Sequence, residues 1–345
     1  MSEEKTALDK NKNIKFKEDK INDRLKVFHT NNQLHVNSFS EDVREGLTSK
    51  VKYLLPKYFY DKRGSELFEQ ICGTEEYYPT RTETRILKDL SGTIAQRNTD
   101  KKMLVELGSG SSVKTDQLIR SFLSERNTFK YIPIDVSDII IDSSIFLTDK
   151  YPELNVEAVI SFYEEGMEFT VQRDSSPKLI LFLGSSIGNF SKNERTDFMK
   201  MLKTYMNESD RLLIGFDMIK DKAVLEKAYN DSRGITAEFN LNILQRINNE
   251  LGGNFDTSEF EHVAFFNESK SRIEMHLRAK SKVTFKIKEI GEKISFEAGE
   301  MIHTENSYKF SRQMINELAE DSGLEFSDYY ADEKNYFSLC AFKLK

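Results

Sequence analysis

Apolar positions along this chain follow two regimes. From Met103 to Asp217, short apolar runs alternate with stretches whose apolar residues recur at helical spacing. The runs Met103–Leu107, 131–136, 156–162, 179–183 and Arg211–Asp217 read as strands, the first apolar enough to be buried on both faces. Helices fit between them over 114–123, 137–149 and 191–206. In the first, Val113, Leu118, Ile119 and Phe122 share one face. The last opens on Ser191-Lys192-Asn193-Glu194, a capping box. Strand and helix in alternation predict a parallel sheet covered by helices on both sides.

After Asp217 the alternation breaks. Helical stretches over 222–229 and 236–251 run up to Gly252-Gly253. Residues 260–300 then alternate with period two, as in Ile273-Glu274-Met275-His276-Leu277-Arg278 and Val283–Ile287. This predicts a mixed α+β unit inserted into the first. The chain then returns to the sheet with a helix over 311–321 stopped by Gly323. Two strands follow, around Tyr329 and over 337–342, joined by a hairpin at Asp332-Glu333-Lys334-Asn335. At the other end, residues 1–24 are rich in Lys, Glu, Asp and Asn, show no apolar face and read as a disordered tail. Residues 25–48 hold enough Leu, Val and Phe to pack, without a clear period. Residues 46–86 carry Tyr53, Tyr58, Phe59, Tyr60, Phe68, Tyr77 and Tyr78, which suit an aromatic core or the lid of a small-molecule pocket.

Composition narrows the class. A chain of 345 residues can bury two cores. Its net charge of −7 argues against a nucleic-acid partner. No apolar run reaches the length of a membrane span, and residues 1–20 are too polar for a secretory signal. The two cysteines, Cys72 and Cys340, lack CxxC spacing, and no two of the five histidines have metal-ligand spacing. A cytoplasmic protein without zinc is the expectation.

The chemistry concentrates in MLVELGSGSSVKT, residues 103–115. A strand, the turn Gly108-Ser109-Gly110-Ser111 and a helix start form a nucleotide cradle. Glycines let the backbone approach a ligand, and free N–H groups at the helix start favour polar or anionic groups. The dinucleotide fingerprint would need a third glycine where Val113 stands. Glu106 sits just before the turn. Asp135 closes the next strand, placed to accept hydrogen bonds from ribose hydroxyls. ELGSG followed by IPIDVS resembles S-adenosylmethionine methyltransferases. Downstream, Gly184-Ser185-Ser186-Ile187-Gly188 matches the G-x-S-x-G elbow of hydrolases. The elbow needs a helix to begin at once, whereas Asn189-Phe190 intervene before the cap at Ser191, and a hydrolase has no use for the cradle. Ser186 is therefore not expected to be a nucleophile.

YFYDKRGSELFEQI, EYYPTRTE, ELGSGSSVKT, FLGSSIGNF, AYNDSRGITAEFNLNIL and TENSYKF, scattered in order from about residue 45 to 345, resemble the histidine N-alpha-methyltransferases of ergothioneine biosynthesis. The resemblance implies an α/β fold. A Rossmann-like S-adenosylmethionine-binding domain would span 81–219 and 310–345, closed over by an inserted α+β substrate-binding domain from 45–80 and 220–309. It implies trimethylation of the α-amine of L-histidine to hercynine, with S-adenosylmethionine as methyl donor and no metal. A monomer acting on a small molecule, with neither nucleic acid nor membrane as partner, is expected.

Position by position, Gly108, Lys114 and Asp135 match cofactor-binding residues, and Phe162 and Tyr163 fall beside the adenine. Gly184, Asn189 and Tyr229 match the positions that hold the amino-acid substrate, Asn189 and Tyr229 taking its carboxylate. Tyr77, Glu305 and Ser307 match the imidazole pocket, and Tyr60 a tyrosine beside the reacting amine. One departure stands out: the family usually has an acid–aromatic pair near the adenine, whereas Ser161-Phe162-Tyr163 supplies aromatics and no acid. The alternative is a member of the same family acting on a different amino acid or amine.

These residue types suit the chemistry. Methyl transfer from a sulfonium is an in-line displacement by a neutral amine, which leaves the protein positioning and electrostatics to supply. Asn189 and Tyr229 can hold a carboxylate without a further buried cation near the sulfonium. Glu305 can accept an imidazole N–H, Ser307 can donate to or accept from the other nitrogen, and Tyr60 can stabilise a growing quaternary ammonium.

Overall fold

The computed structural model describes residues 15–30, 38–124, 126 and 128–345. The strands in chain order are β1 (Phe16–Lys20), β2 (Leu25–Thr30), β3 (Met103–Leu107), β4 (Phe129–Asp135), β5 (Leu154–Ile160), β6 (Lys178–Phe182) and β7 (Arg211–Asp217), then β8 (Phe260–Asn267), β9 (Arg272–Ala279), β10 (Val283–Ile287), β11 (Glu292–Phe296), β12 (Met301–Tyr308), β13 (Leu324–Ala331) and β14 (Phe337–Leu344). The helices are α1 (Phe39–Thr48), α2 (Lys62–Cys72), α3 (Tyr78–Arg97), α4 (Asp116–Leu123), α5 (Ile139–Lys150), α6 (Tyr163–Arg173), α7 (Lys192–Thr204), α8 (Lys222–Ala228), α9 (Ile235–Leu251) and α10 (Arg312–Ser322).

Nine strands form one sheet in the order β1-β2-β5-β4-β3-β6-β7-β14-β13. From β2 to β7 the pairing is parallel, and β14 and β13 close one side antiparallel, as the alternation and the hairpin signal predict. Every position of β3 and β6 is buried because helices cover both faces. Met103, Val105 and Leu107 point into one apolar cluster, and Leu104 into the other. The turn between β13 and β14 is held by Asp332, whose Oδ1 accepts the N–H groups of Tyr336 and Phe337, with Asn335 left-handed at φ 53°.

A second unit stands beyond the end of β7. Its three-stranded antiparallel sheet runs β12-β9-β8, with the hairpin β10–β11 beside it. A third apolar cluster fills it, drawing Phe59 and Leu67 together with Ile243 and Leu244 of α9 and Ile273, Met275 and Leu277 of β9. The motif AYND serves this unit: Asp231 caps α9 by accepting the N–H groups of Ile235 and Thr236.

The N-terminal expectation needs correction. Residues 1–14 of the 1–24 tail lie outside the described residues, but the rest holds strand β1 and the bend that leads into β2. β1 pairs antiparallel with β2, which lies parallel to β5, and the Phe16 ring packs 4.8 Å from Phe169. FKEDK hides its period because charged side chains belong on an edge strand, where they discourage further pairing. Helices α2, α3 and α6 also lie where no helix was expected. Among the described residues no helix is long and apolar enough to cross a membrane.

Two helical glycines test this packing with opposite signs. A Cβ on Gly166 of α6 would stand 2.5 Å from a methyl of Ile134 in β4, whereas one on exposed Gly92 of α3 would meet nothing within 4 Å. Gly166→Ala should cost about 1–3 kcal/mol by overpacking. Gly92→Ala should gain up to about 1 kcal/mol from helix propensity and a restricted unfolded chain. Denaturant midpoints of the two variants check both signs, and shifts in the same direction would refute the close approach of α6 to β4.

Candidate active site

The glycine turn after β3 is set by backbone conformation: Gly108 and Gly110 have φ of 68° and 49°, the left-handed region that glycine enters freely. Glu106 braces it from below. Its buried carboxylate accepts the Thr115 hydroxyl at 2.6 Å and that of Tyr131, which also meets Ser112 at 2.9 Å. Burial pushes Glu106 up to about 7, partly offset by the Thr115 and Tyr131 bonds. Glu106 is thus a strut of the turn. Asp135, at the end of β4, accepts the N–H of Gly110 and of Ser137, each at 3.0 Å, which leaves lone pairs on both oxygens.

Three apolar side chains stay exposed beside this turn, at the ends of β4 and β5: Val136, Ile139 and Phe162. Together with the space beside Gly110, where a Cβ would meet nothing within 4 Å, they fit a purine and ribose laid across the strand ends. Phe162 and Tyr163 part company. Phe162 keeps an open face, whereas Tyr163 turns inward against Phe182 and Phe198, its hydroxyl 3.0 Å from where a Gly108 Cβ would sit. Burial pushes Tyr163 up to about 12. Ser161, in the place of the missing acid, donates to the Phe162 carbonyl.

Lys114 faces across the strand ends rather than outward. Its ammonium pairs with Glu83 of α3 at 2.5 Å, and the same carboxylate accepts the N–H of Gly184 at 2.8 and 3.0 Å. Burial disfavours the Lys114 charge, but Glu83 outweighs it and holds the ammonium raised. Glu83 is fully buried, in space left by Gly215, where a Cβ would lie 2.5 Å from Oε1. It therefore ties a residue of the cradle to the turn after β6.

That turn enters through Gly184 (φ 76°) and Ser185 (φ 56°) and coils as a 3₁₀ helix over Ser186–Asn189. The coil begins at once, contrary to the sequence expectation, but it is short, and α7 starts separately at its Ser191–Glu194 capping box. Ser186 donates to the Leu183 carbonyl, so no nucleophile is presented. Asn189 has no side-chain partner among the described residues.

β12 lies against this turn, with the Tyr308 carbonyl 2.9 Å from the Cβ position of Gly188. Along β12, His303 faces His276, but Glu305 faces Met275 and Ser307 faces Ile273. Thr304 is the extra residue of a β-bulge, and it flips the alternation. His303 therefore meets the His276 ring on one face, while Glu305 and Ser307 share the other with the apolar cluster. Ser307 accepts the Tyr229 hydroxyl at 2.7 Å. Buried Lys309 donates to Tyr229 at 3.0 Å, to Ser307 at 2.8 Å and to Asp217 at 2.8 Å. Asp217 also takes Lys220 and the Tyr78 hydroxyl. Neutral His262 fixes Tyr229 from behind: Nε2 donates to the Tyr229 carbonyl at 2.8 Å and Nδ1 accepts from Asn240.

Aromatic rings wall the space facing Glu305. Tyr60 contacts Phe68 and Phe239 edge-on, Phe68 meets Tyr77, and Tyr77 meets Tyr229, at centroid distances of 5.6 to 6.2 Å. Tyr60 is 48% exposed although protein surrounds it on most sides, the mark of a side chain lining a cleft. Burial, then the Glu305 charge, pushes its hydroxyl up. Glu305 itself is pushed up to about 7 by burial against the pull of Lys309, and it has no hydrogen-bond partner among the described residues. Tyr60, Tyr77, Tyr229, Glu305 and Ser307 thus occupy one neighbourhood.

Four functional neighbours escaped the sequence reasoning: Glu83, Asp217, Lys220 and Lys309. Glu305, Ser307 and Lys309 form a polar stripe at i, i+2 and i+4 beside an apolar cluster, a signal that could have found Lys309. Contrary to expectation, Tyr229 does not spare the site a buried cation, since Lys309 stands directly behind it, paired with Asp217.

Comparison with known proteins agrees with this geometry. The family described as histidine-specific, S-adenosylmethionine-dependent methyltransferases matches residues 39–344. The histidine N-alpha-methyltransferase of Mycolicibacterium smegmatis is 40% identical over 86% of this chain and 92% of its own length. That of Mycobacterium tuberculosis is 38% identical over the same shares. An L-tryptophan methyltransferase of Psilocybe serbica is 26% identical over 82% of this chain and 86% of its own. With a match that runs from α1 to the end of β14, the chain belongs to the histidine-specific, S-adenosylmethionine-dependent methyltransferase family.

Proposed function

We propose that this protein methylates the α-amine of L-histidine three times, giving hercynine as a step of ergothioneine biosynthesis; its two bacterial relatives bear the name histidine N-alpha-methyltransferase. The observation that carries the proposal is Glu305, an unpartnered carboxylate turned by a β-bulge into an aromatic cleft. Such a group is costly to bury unless a ligand supplies the missing donor.

Bound S-adenosylmethionine supplies an electrophilic methyl group on a sulfonium. Asp135 takes the ribose hydroxyls, Phe162 covers the adenine, and Gly108 and Lys114 line its amino-acid end. Asn189 and Tyr229 take the histidine carboxylate, the Tyr229 O–H turning to it from Ser307, Gly184 gives that end of the substrate room, and Glu305 and Ser307, with Tyr77 beside them, take the imidazole. Held at both ends, the substrate presents its neutral amine beside Tyr60, so that most of the rate comes from orientation. The relative named for tryptophan favours a second reading, because Glu305 could also accept an indole N–H. Ser307 argues for the ring with a second nitrogen. We further propose a cytoplasmic monomer that needs no metal; the net charge of −7 and the unpaired thiols of Cys72 and Cys340 support a soluble enzyme in a reducing compartment.

Three measurements test this. Glu305→Leu should lower kcat/KM for histidine about 10- to 100-fold, the worth of about 1–3 kcal/mol for an unanswered imidazole donor, and leave S-adenosylmethionine affinity unchanged. Wild-type kinetics in that variant would remove Glu305 from the site. Asp135→Ala should weaken S-adenosylmethionine binding by about ten- to a hundredfold, from hydrogen bonds to a charged group worth about 1.5–3 kcal/mol. Unchanged calorimetric affinity in a folded variant would refute the cradle.

The third is a pH dependence. Glu305 is raised to about 7 in the folded protein, so the native state keeps its proton where the unfolded chain has lost it. Its contribution to stability therefore falls as pH rises from the ordinary carboxylate range to about 7. Glu305→Gln abolishes that loss. The melting temperature of the variant relative to wild type should climb over this window and level off above it; a difference independent of pH would show Glu305 to be solvated.

A further inference from the structure

We infer that Lys309 is a positioning residue that makes a free α-carboxylate a requirement of the substrate, acting through the hydroxyls of Tyr229 and Ser307. The site then takes the anionic tail of an amino acid and discriminates against its amide. The inference rests on the proposal that Tyr229 faces the substrate's carboxylate.

Hydrogen-bond bookkeeping leads to it. Lys309 is fully buried and spends its three N–H donors on Asp217, Tyr229 and Ser307. An ammonium cannot accept, so each hydroxyl must give it a lone pair. Tyr229 and Ser307, 2.7 Å apart, share one O–H between themselves. One O–H of the pair is left, and no protein acceptor takes it among the described residues. With Tyr229 donating to Ser307 the spare O–H sits on Ser307, and reversal of that one bond hands it to Tyr229, so the pair can offer a carboxylate at Tyr229 a donor and asks for an acceptor.

Charge points the same way. Asp217 is the carboxylate in contact with both buried ammoniums, those of Lys220 and Lys309. Lys220 lies at about 8, lowered by burial and partly restored by Asp217, so at neutral pH the hub holds two cations against one anion. Glu305 also bears on Lys309, and Asp332 on Lys220, but neither makes contact with its lysine. An anion at Tyr229 completes the balance, and the Lys309 ammonium, 4.8 Å from the Tyr229 ring centre, strengthens that phenol as a donor. Placing the cation one layer behind a neutral hydroxyl lets the site prefer a carboxylate without setting a bare ammonium beside the cofactor.

Calorimetry with S-adenosylhomocysteine-saturated protein, titrated with L-histidine and with L-histidinamide, tests the idea. Wild type should prefer histidine. Lys309→Met should weaken histidine about 10- to 100-fold, the span expected for a charge-assisted hydrogen bond, and leave the amide nearly as before, closing the gap. In turnover the loss should fall on KM more than on kcat. Equal losses for both ligands would show Lys309 to be a structural residue only and overturn the inference, as would no change in either. If Lys309→Met fails to fold because Asp217 loses its partner, Lys309→Met with Asp217→Asn removes both charges and carries the same comparison. Tyr229→Phe separates the two levels. If it closes the gap and Lys309→Met does not, the carboxylate reading stands and the role of Lys309 falls. If Tyr229→Phe leaves the preference intact, both fall.

Discussion

The carboxylate of Asp217, 1% exposed, is the constraint around which this molecule is arranged. Buried charge at that depth is tolerable only when fully answered, and here the answers come from three separate stretches of chain. Lys220 follows β7, Lys309 follows β12, and the Tyr78 hydroxyl arrives from the start of α3. The Asp217 backbone joins in, its N–H donating to Ser185 and its carbonyl accepting from Phe310. Removing one partner of such a group typically costs about 3–5 kcal/mol, so these segments have little freedom to drift. The consequence is functional. The 184–189 turn, the end of β12 and Tyr229 all hang from this hub, and between them they contribute most of the side chains assigned to the substrate.

Two carboxyl groups, Glu106 and Glu305, are pushed by burial to the same region near 7, yet their surroundings differ. Glu106 receives two hydroxyl donors and sits wholly inside, which makes it part of the wall. Glu305 receives none and faces the cleft. A raised carboxyl is therefore not by itself a sign of function; the unsatisfied one is. Glu83 is a third case, buried completely but answered by Lys114 and the Gly184 N–H, and it works as a rivet between the cradle and the substrate turn.

How much of this was legible in the sequence follows from which signals are local. The glycine turn, Asp135, the capping box at Ser191 and the parallel core all rest on neighbours within a few residues, and they could be read directly. β1 could not, because its charged residues suit an edge and erase the two-residue period. The bulge at Thr304 was equally invisible: nothing in TENSYKF announces an extra residue, and strict alternation would have placed Glu305 on the face of His303. Asp217, Lys220, Lys309 and Glu83 are ordinary charged residues until the fold brings each to its partners, from up to 142 positions away, as for Tyr78 and Lys220. The family resemblance supplied the residues proposed to contact a ligand and passed over those that hold them in place.

The amine end of the cleft shows what this arrangement achieves. Each transfer turns an amine into an ammonium, and a proton must leave before the next methyl can be accepted. Among the described residues the hydroxyls and thiol around the proposed amine position are not poised to take it: burial, then the Glu305 charge, keeps Tyr60 protonated, and burial raises Tyr77, Tyr229 and the Cys72 thiol as well. A carboxylate in their place would grip the protonated amine as an ion pair and keep it from reacting. In the proposed pose, with neutral hydroxyls and ring faces around it, the amine would be favoured in its uncharged, nucleophilic form, and its proton would leave to water along the exposed side of Tyr60. The rings then favour the permanent cation of the product by about 0.5–2 kcal/mol, the usual range of a cation–π contact. On the proposed assignment the charged groups facing the substrate sit at its two ends, Glu305 at the ring and the Asp217–Lys309 hub behind the carboxylate, and the reacting nitrogen lies between them among hydroxyls and ring faces.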